Sequence, residues 1–376
     1  MRRLLLSAIV AVALLPACAV KAGSKGNTLD EAALAEVAAR ARVWQPTRVR
    51  AMNLRTGPGG TGSFTPNELV RCTYVRRETD GQTPKFVCRL ADGGEVKVKF
   101  GRDNGEVFAE VAATRLLWAL GFGADHMYPV RVDCQGCPES DGNDAAARPG
   151  VTRFDFAAIE RKMPGRELEG PNGPGWSWDD LDRGNPSGAR LIQRDALKLL
   201  AVLLQHTDSK REQQRLVCLG ETGRGREGET RRGLEAETGR GRAADCRRPF
   251  LLISDLGKTF GRANAFNRDA PGSVNLAAWA ESPVWAGSTG CTGNLPKSLT
   301  GTLDNPTITD AGRRFLADLL AQLSDRQLHD LFEVARFPAR TGGAESQADV
   351  RAWVAAFKDK VRQVAQRSCL QDRRTQ

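Results

Sequence analysis

Two hydrophobic patterns divide the first half of the chain into strands and a helix. Residues 70–75 and 85–90 are rich in β-forming side chains and flank a turn at residues 80–81, which predicts a hairpin. Residues 96–100 alternate apolar and basic side chains with period two, as a third strand would. Residues 106–120 carry their apolar side chains at helical spacing. This order predicts a small antiparallel sheet followed by a helix.

Helical patterns dominate the second half. Residues 191–205 are predicted to form an apolar helix. A second helical stripe is expected to pack onto the domain and consists of Val350, Trp353, Val354, Phe357, Val361 and Val364. Four tryptophans beside Gly and Pro turns are expected to anchor the core, namely Trp176, Trp178, Trp279 and Trp285.

These patterns predict an α+β fold with two lobes. A small lobe with an antiparallel sheet would span residues 46–165, and a mainly helical lobe would span residues 166–370. The preceding segment, residues 19–45, is predicted to be a linker with one helix that opens at a capping box at residues 28–31 and runs to about Arg42.

The N-terminus is predicted to be a lipoprotein signal peptide, residues 1–18. Two arginines precede an apolar stretch at residues 4–15, which is too short to span a bilayer, and the sequence Leu-Pro-Ala-Cys follows. Cys18 is therefore the predicted lipidation site, which would anchor the chain in the cell envelope as a periplasmic or outer-membrane lipoprotein. Ordinary cleavage near Ala19 or Ala22 would instead give a secreted protein.

Cysteine usage agrees with export, because eight cysteines remain besides Cys18 and an even number suits disulfides. Cys72 and Cys88 lie on the two strands of the predicted hairpin and are expected to pair across it. Cys218 and Cys246 bracket an insert and are expected to close its base. The spacing of residues 134–137, Cys-Gln-Gly-Cys, also occurs in zinc sites, but no second pair at a convincing spacing accompanies it, so a surface loop or a disulfide is favoured.

The formal net charge of +10 does not indicate a nucleic-acid partner. The arginine-rich insert, residues 219–245, carries six arginines and six acidic residues. This charge balance is typical of a disordered loop rather than a nucleic-acid-binding arm, so no specific nucleic acid is expected.

The candidate chemistry lies in two short motifs. Residues 206–213 fit the pattern His-x-Asp-x-Lys-x-x-Asn/Gln, and residues 253–257 place Asp-Leu-Gly after an apolar strand, the order in which protein kinases present a catalytic Asp and a metal-binding Asp. Asp208 is the predicted catalytic residue that orients or accepts the proton of the attacking hydroxyl. Lys210 would reach the transferred phosphate. His206 is expected to pack and form hydrogen bonds rather than to act as an acid or base.

The predicted metal ligands are Asp255, through its carboxylate, and Gln213, through its amide oxygen. Both offer the oxygen atoms that Mg²⁺ prefers. Gly257 is expected to let the chain turn sharply after the metal ligand.

The sequence upstream of these motifs offers the remaining charged residues that a kinase site needs. Lys97 and Lys99 share the polar face of the third strand, and Lys99 is the better candidate for binding the nucleotide phosphates. Glu110 is the predicted partner of Lys99, and Glu106, one turn earlier, is the second choice. Taken alone, these would be ordinary solvated charges. The downstream motifs favour the functional interpretation.

These segments resemble secreted bacterial lipoproteins with a protein-kinase-like fold and, more distantly, the atypical kinase families that include HipA, CotH and the secretory-pathway casein kinases. The resemblance covers residues 45–365 in outline and implies a nucleotide, ATP, with Mg²⁺ or alternatively Mn²⁺, in a cleft between two lobes. Residues 159–165, which include Glu160, resemble the hinge between the two lobes of such kinases, and the resemblance implies that the backbone there binds the adenine edge. The alternative there is a strand that simply ends at Pro164 and Gly165.

Two departures from the kinase pattern leave other functions open. Gln213 stands where kinases have a metal-binding Asn, and the Gly-rich stretch at residues 57–62 precedes the first strand, where a surface loop is expected rather than a phosphate-binding loop. The leading prediction is a kinase-like, Mg-dependent phosphotransferase that acts on an unknown protein or small-molecule acceptor in the envelope. The alternatives are an inactive pseudokinase that serves as an envelope binding protein, and an enzyme of the same fold that transfers a nucleotide.

Overall fold

The structure is a computed structural model that describes residues 31–138 except 78, 80 and 82, together with residues 149–219, 246–261, 273–340 and 350–369. The predicted signal peptide with Cys18, the capping residues before Glu31 and the insert at 220–245 lie outside the described residues. Within the described part, no helix is long and apolar enough to cross a membrane.

The fold combines helices with two sheets. The described helices are α1 (Glu31–Arg40), α2 (Glu106–Leu120), α3 (Trp178–Arg183), α4 (Gly188–Leu204), α5 (Leu276–Glu281), α6 (Asp310–Leu320), α7 (Asp325–Val334), α8 (Phe337–Arg340) and α9 (Val350–Gln366). The described strands are β1 (Leu69–Val75), β2 (Lys85–Leu90), β3 (Glu95–Phe100), β4 (Gly123–Ala124), β5 (His126–Gln135), β6 (Val151–Arg161), β7 (Arg166–Leu168), β8 (Gln214–Cys218) and β9 (Pro249–Ile253).

The first five long strands form a closed barrel in the order β1-β2-β3-β6-β5. The predicted hairpin is present as β1 and β2, and β3 pairs antiparallel with β2 as expected. The prediction of an antiparallel sheet missed one pairing. β1 and β5 pair in parallel, and this pairing closes the sheet into a barrel. Closure leaves no unpaired strand edge, and its interior is filled by aromatic side chains, with the rings of Phe86, Phe100 and Phe154 in mutual contact.

A second sheet, in the order β4-β9-β8-β7, has three of its four strands in residues 166–370, the part predicted to be mainly helical. Every residue of β8 and β9 is buried, so these strands lack the alternation that would have marked them in the sequence. Arg42 extends this sheet, because its N–H donates to the Pro249 carbonyl and its own carbonyl accepts from Leu251. The segment predicted to be a linker is therefore part of the core after α1 ends at Arg40.

Aromatic side chains hold the helical part together. Trp279 packs against Phe260, Phe332 and Trp353, all fully buried. The four predicted tryptophan anchors are buried, as is most of the predicted stripe on α9. Both sequence predictions are confirmed.

Four disulfides cross-link the described residues. The expected pairs Cys72–Cys88 and Cys218–Cys246 are present, the second at the base of the insert, and Cys134 pairs with Cys137. The fourth joins Cys291 to Cys369, and the sequence did not predict this pairing.

Lys360 on α9 gives a stability prediction, because its ammonium group is buried against Trp279 and donates to the Ser282 carbonyl. Burial lowers the pKa of Lys360 to about 8, against an ordinary value of about 10.4 in an unfolded chain. Between these values the unfolded state binds the extra proton, so the stability of the fold should rise with pH by at most about 3 kcal/mol. Lys360→Met should remove this rise in denaturant titrations from pH 7 to pH 10. Equal pH slopes for parent and variant would show that Lys360 is not the group responsible.

Candidate functional site

A buried lysine gathers three acidic side chains where the barrel meets α2. Lys99 faces away from the barrel interior, and its Nζ lies 2.6 Å from Glu110, 2.9 Å from Glu106 and 3.7 Å from Asp255. Its side chain is only 3% exposed. The two glutamates reach the same ammonium group because they are one helical turn apart on α2. The structure thus brings together the predicted pair, Lys99 and Glu110, and adds Glu106 as a second partner.

The charges of this cluster are set by burial and by each other. Burial disfavours the charged form of Lys99, but the carboxylates of Asp255, Glu106 and Glu110 outweigh it and hold the pKa of Lys99 well above its usual value. The pKa of Asp255 is lowered despite burial, chiefly by Lys99. Burial raises the pKa of Glu110, and the nearby Asp255 raises it further. At neutral pH the cluster therefore pairs a lysine cation with an aspartate anion, and burial favours the protonated form of Glu110.

The β8–β9 pair places the two predicted metal ligands side by side. Gln214 is opposite Ile253 in the register, so Gln213 and Asp255 emerge next to each other from the ends of adjacent strands. The Gln213 Nε2 donates to the Asp255 carboxylate at 3.5 Å, while its Oε1 accepts from the Ser254 hydroxyl at 3.1 Å. The amide oxygen predicted to bind metal is thus turned toward Ser254, and metal binding by Gln213 would require this amide to rotate.

Two further contacts fix the Asp255 turn. The Nε2 atom of His206 lies 2.8 Å from the Asp255 carbonyl oxygen, and the Gly257 N–H donates to the Asp255 carboxylate at 3.1 Å. His206 is buried and its pKa is lowered by desolvation. This agrees with the expected packing and hydrogen-bonding role of the histidine.

Asp208 lies between two lysines. The Lys210 Nζ is 3.5 Å from one carboxylate oxygen of Asp208, and the Lys258 Nζ is 3.4 Å from the other. The backbone reinforces this arrangement, because the Thr207 N–H donates to the Lys258 carbonyl. Lys258 was missed in the sequence, although its position directly after Asp-Leu-Gly was the available signal. The pair of lysines could hold a phosphate beside the Asp208 carboxylate.

Glu160, the predicted hinge residue, is next to last in β6. It lies inside the barrel wall, where it pairs with Lys97 on one side and Met127 on the other, so its backbone is engaged in two ladders. Its carboxylate forms an ion pair with Lys97. Further along, the Met163 N–H donates to Asp125 at 2.7 Å. The backbone N–H and C=O groups that would bind an adenine edge must therefore be others within residues 162–165.

The Gly-rich stretch, residues 57–62, forms a loop over the barrel wall. The Tyr128 hydroxyl donates to the Pro58 carbonyl, and a side chain at Gly57 would collide with the Arg115 guanidinium. The segment that reaches the Lys99 cluster is instead the turn between β1 and β2, where the Thr83 hydroxyl donates to Glu106 at 3.0 Å. The expectation of a surface loop, rather than a phosphate-binding loop, agrees with this placement.

Gly257 is required for a reason other than a sharp turn. A Cβ atom at this position would lie 2.5 Å from the Glu106 Cγ, and the backbone there needs no left-handed conformation. The absence of a side chain lets the Asp255 turn pack directly against the first turn of α2. This close approach brings Asp255 to the carboxylates of α2.

Gly257→Ala should therefore push Glu106 away from Lys99 and destabilise the fold by about 1–3 kcal/mol. Denaturant titration measures the effect. Gly59→Ala is the matched control, because nothing lies within 4 Å of a Cβ atom placed there. If both alanine variants are as stable as the parent, the close packing of the Asp255 turn on α2 is wrong.

The acidic side chains of the cluster suit a hard divalent cation. One carboxylate oxygen each from Glu106, Glu110 and Asp255 lie within 4.8 Å of one another. The Glu110 Oε2 is buried without a hydrogen-bond donor among the described residues, a position that a proton or a metal ion would satisfy. Oxygen ligands of this kind favour Mg²⁺ or Mn²⁺ over softer metals.

Comparisons with known proteins add little to this geometry. No protein-family model matches the chain, and no curated protein matches it significantly in sequence. Among solved structures, the Helicobacter pylori proinflammatory kinase CtkA is similar with a TM-score of 0.44 and 9% sequence identity, covering 80% of this chain and 98% of that chain. The similarity is weak, and the function is inferred from the geometry of the site.

Proposed function

We propose that the chain is a kinase-like, Mg-dependent phosphotransferase that uses a nucleotide donor and an acceptor in the cell envelope. The observation that carries the proposal is the buried network in which Lys99 contacts Glu110 and Asp255 at once. A structural ion pair needs only two partners. A lysine shared between a helix glutamate and an aspartate at the end of a strand pair is suited to hold phosphates beside a metal ion.

Each side chain then has a physical task. Lys99 would bind the donor phosphates, and Glu110 would hold its ammonium group in place. Lys210 and Lys258 would neutralise charge on the transferred phosphoryl group. Asp208 would orient the acceptor hydroxyl for attack.

The proposed cofactors are ATP and Mg²⁺, with Mn²⁺ as the alternative ion. Asp255 and, after rotation of its amide, Gln213 would hold the metal ion. A bound ion would neutralise charge on the donor phosphates. Glu106 and Glu110 lie close enough to contribute to the local negative field that attracts it.

Labelling of the purified protein tests this proposal. The protein is incubated with Mg²⁺ or Mn²⁺ and with ATP labelled in either the γ- or the α-phosphate, alone and with an envelope extract. Labelling by γ-labelled ATP but not by α-labelled ATP would support phosphoryl transfer. Label from α-phosphate instead would identify a nucleotidyltransferase, and label from neither, with either ion, would contradict transfer.

A second candidate function is nucleotide binding without transfer. The observation that favours it is the orientation of Gln213, whose amide oxygen accepts from Ser254 rather than facing the Asp255 carboxylate. Gln213→Asn shortens the side chain and restores the amide usual in kinases. Binding without labelling in the parent, and no labelling after Gln213→Asn, would favour this candidate.

We also propose that the chain is lipid-anchored through Cys18 in the cell envelope. A fatty-acid probe supplied during growth should label the parent protein, while Cys18→Ser should lose the label, because only this thiol would carry the lipid. Release of the variant into the soluble fraction should accompany the loss. Equal labelling of both proteins would contradict the anchor and favour secretion.

A further inference from the structure

Four cysteine side chains belong to the core of the barrel, a cluster of side chains that does not include the proposed phosphotransfer residues. Cys72 lies on β1, Cys88 on β2, Cys134 on β5, and Cys137 just beyond β5. All four are buried. They form two disulfides, and the Cys88 and Cys134 sulfurs of different disulfides are only 3.8 Å apart.

The barrel itself brings these side chains together. β1 is paired with β2 on one side and with β5 on the other, and Cys72 is directly opposite Cys134 in the parallel register. Cys88 is opposite Tyr74, two residues along β1 from Cys72. Because strand pairing fixes the positions of Cys72, Cys88 and Cys134, these three sulfurs should stay close together after both disulfides are reduced. Cys137 follows Cys134 by three residues, and its carbonyl is held by the Thr152 hydroxyl.

The spacing matches that of a tetrahedral thiolate site. A zinc ion with Zn–S bonds of about 2.3 Å places its sulfur ligands about 3.8 Å apart. The contact between Cys88 and Cys134 already has this length, and one sulfur each from Cys72, Cys88 and Cys134 lie within 4.8 Å of one another. The Cα atoms of the bonded pairs are 5.7 Å and 5.5 Å apart, so opening each disulfide requires mainly rotation of the side chains.

We propose that the reduced form of the chain binds one Zn²⁺ ion through Cys72, Cys88, Cys134 and Cys137. A dithiol or phosphine reductant supplies two electrons and two protons to each disulfide, giving four thiols. Zinc then displaces four protons and is held by four thiolates. The disulfides and the zinc site exclude each other, because the same sulfur atoms form both.

The other two disulfides provide matched controls. Cys218–Cys246 and Cys291–Cys369 lie elsewhere in the chain and do not belong to the group of clustered sulfurs. A thiol effect common to all cysteines would appear in every pair. A metal site would appear only in the barrel.

Metal titration of the reduced, purified protein is the main test. Co²⁺ serves as a spectroscopic probe, because tetrahedral cobalt thiolates give a strong ligand-to-metal charge-transfer band and intense visible bands. We expect one equivalent of Co²⁺ to bind and one equivalent of Zn²⁺ to displace it. The double variant Cys218→Ser with Cys246→Ser should retain this signal, and Cys88→Ser should weaken zinc binding by about 100-fold or more. An octahedral spectrum, or unchanged binding by Cys88→Ser, would overturn the proposal.

Thiol protection tests the site in the parent protein, so that a variant which fails to fold does not decide the outcome. The reduced protein is treated with N-ethylmaleimide with added zinc or with a chelator, and the modified cysteines are identified by mass spectrometry. We expect zinc to slow modification of the four barrel cysteines and to leave the other four unchanged. Equal rates at the barrel cysteines with zinc and with chelator would overturn the proposal.

Discussion

Asp208→Asn should lower phosphoryl transfer by about two orders of magnitude or more while leaving nucleotide affinity unchanged. The carboxylate of Asp208 acts on the acceptor hydroxyl as the transition state forms, and in the proposed arrangement it does not bind the donor. Asparagine has nearly the same shape but is a poor proton acceptor. It also removes the anion that pairs with Lys210 and Lys258, without removing either ammonium group.

The measurement compares turnover with γ-labelled ATP and the dissociation constant for ATP in the same preparations. Asp179→Asn is the matched control, because Asp179 is exposed on α3. The control should retain both activity and binding. Unchanged turnover in Asp208→Asn would remove Asp208 from the proposed mechanism.

Lys99→Met should abolish nucleotide binding and destabilise the fold by about 3–5 kcal/mol, the range found when one partner of a buried ion pair is removed. The loss leaves the buried carboxyl groups of Glu106 and Glu110 and the half-buried carboxyl group of Asp255 without their common cation. Because these groups can become neutral by taking up protons, the destabilisation should be smaller at low pH than at neutral pH. Denaturant titration at several pH values measures it.

A double variant separates the two effects. Lys99→Met combined with Glu110→Gln removes one of the unpaired charges and should regain part of the lost stability, but it should still fail to bind nucleotide. Lys97→Met is the comparison on the same strand, since the Lys97 side chain is 37% exposed and pairs with Glu160 alone among the described ion pairs. Its destabilisation should be smaller than that of Lys99→Met, because only one carboxylate, Glu160, loses its cation. If the double variant binds nucleotide as tightly as the parent, Lys99 does not bind the phosphates.

Local sequence patterns predicted the parts of the site that depend on local spacing. The α2 helix spans the expected residues, Glu106–Leu120, and its two glutamates reach Lys99 because a helical turn separates them. The adjacency of Gln213 and Asp255 follows from two short motifs at the ends of paired strands. Neighbouring residues in the sequence determine the spacing of the two glutamates, whereas the contact between Gln213 and Asp255 also requires the pairing of β8 with β9.

Long-range pairing was not predictable in the same way. The parallel contact between β1 and β5 joins segments about sixty residues apart, and no local periodicity encodes it. β8 and β9 are wholly buried, so a strand there resembles any apolar run. Lys258 and Thr83 reach the site through tertiary packing, and neither residue belongs to a recognisable sequence motif.

Equilibrium binding of ATP to the parent protein tests the central claim most directly. Isothermal titration is carried out with Mg²⁺ and again with a chelator, using the Lys99→Met, Glu110→Gln double variant as the reference for a disabled cleft. We expect saturable binding of one ATP that requires the metal ion and is absent from the reference. No binding by the parent with Mg²⁺ or Mn²⁺, or equal binding by the reference, would contradict it.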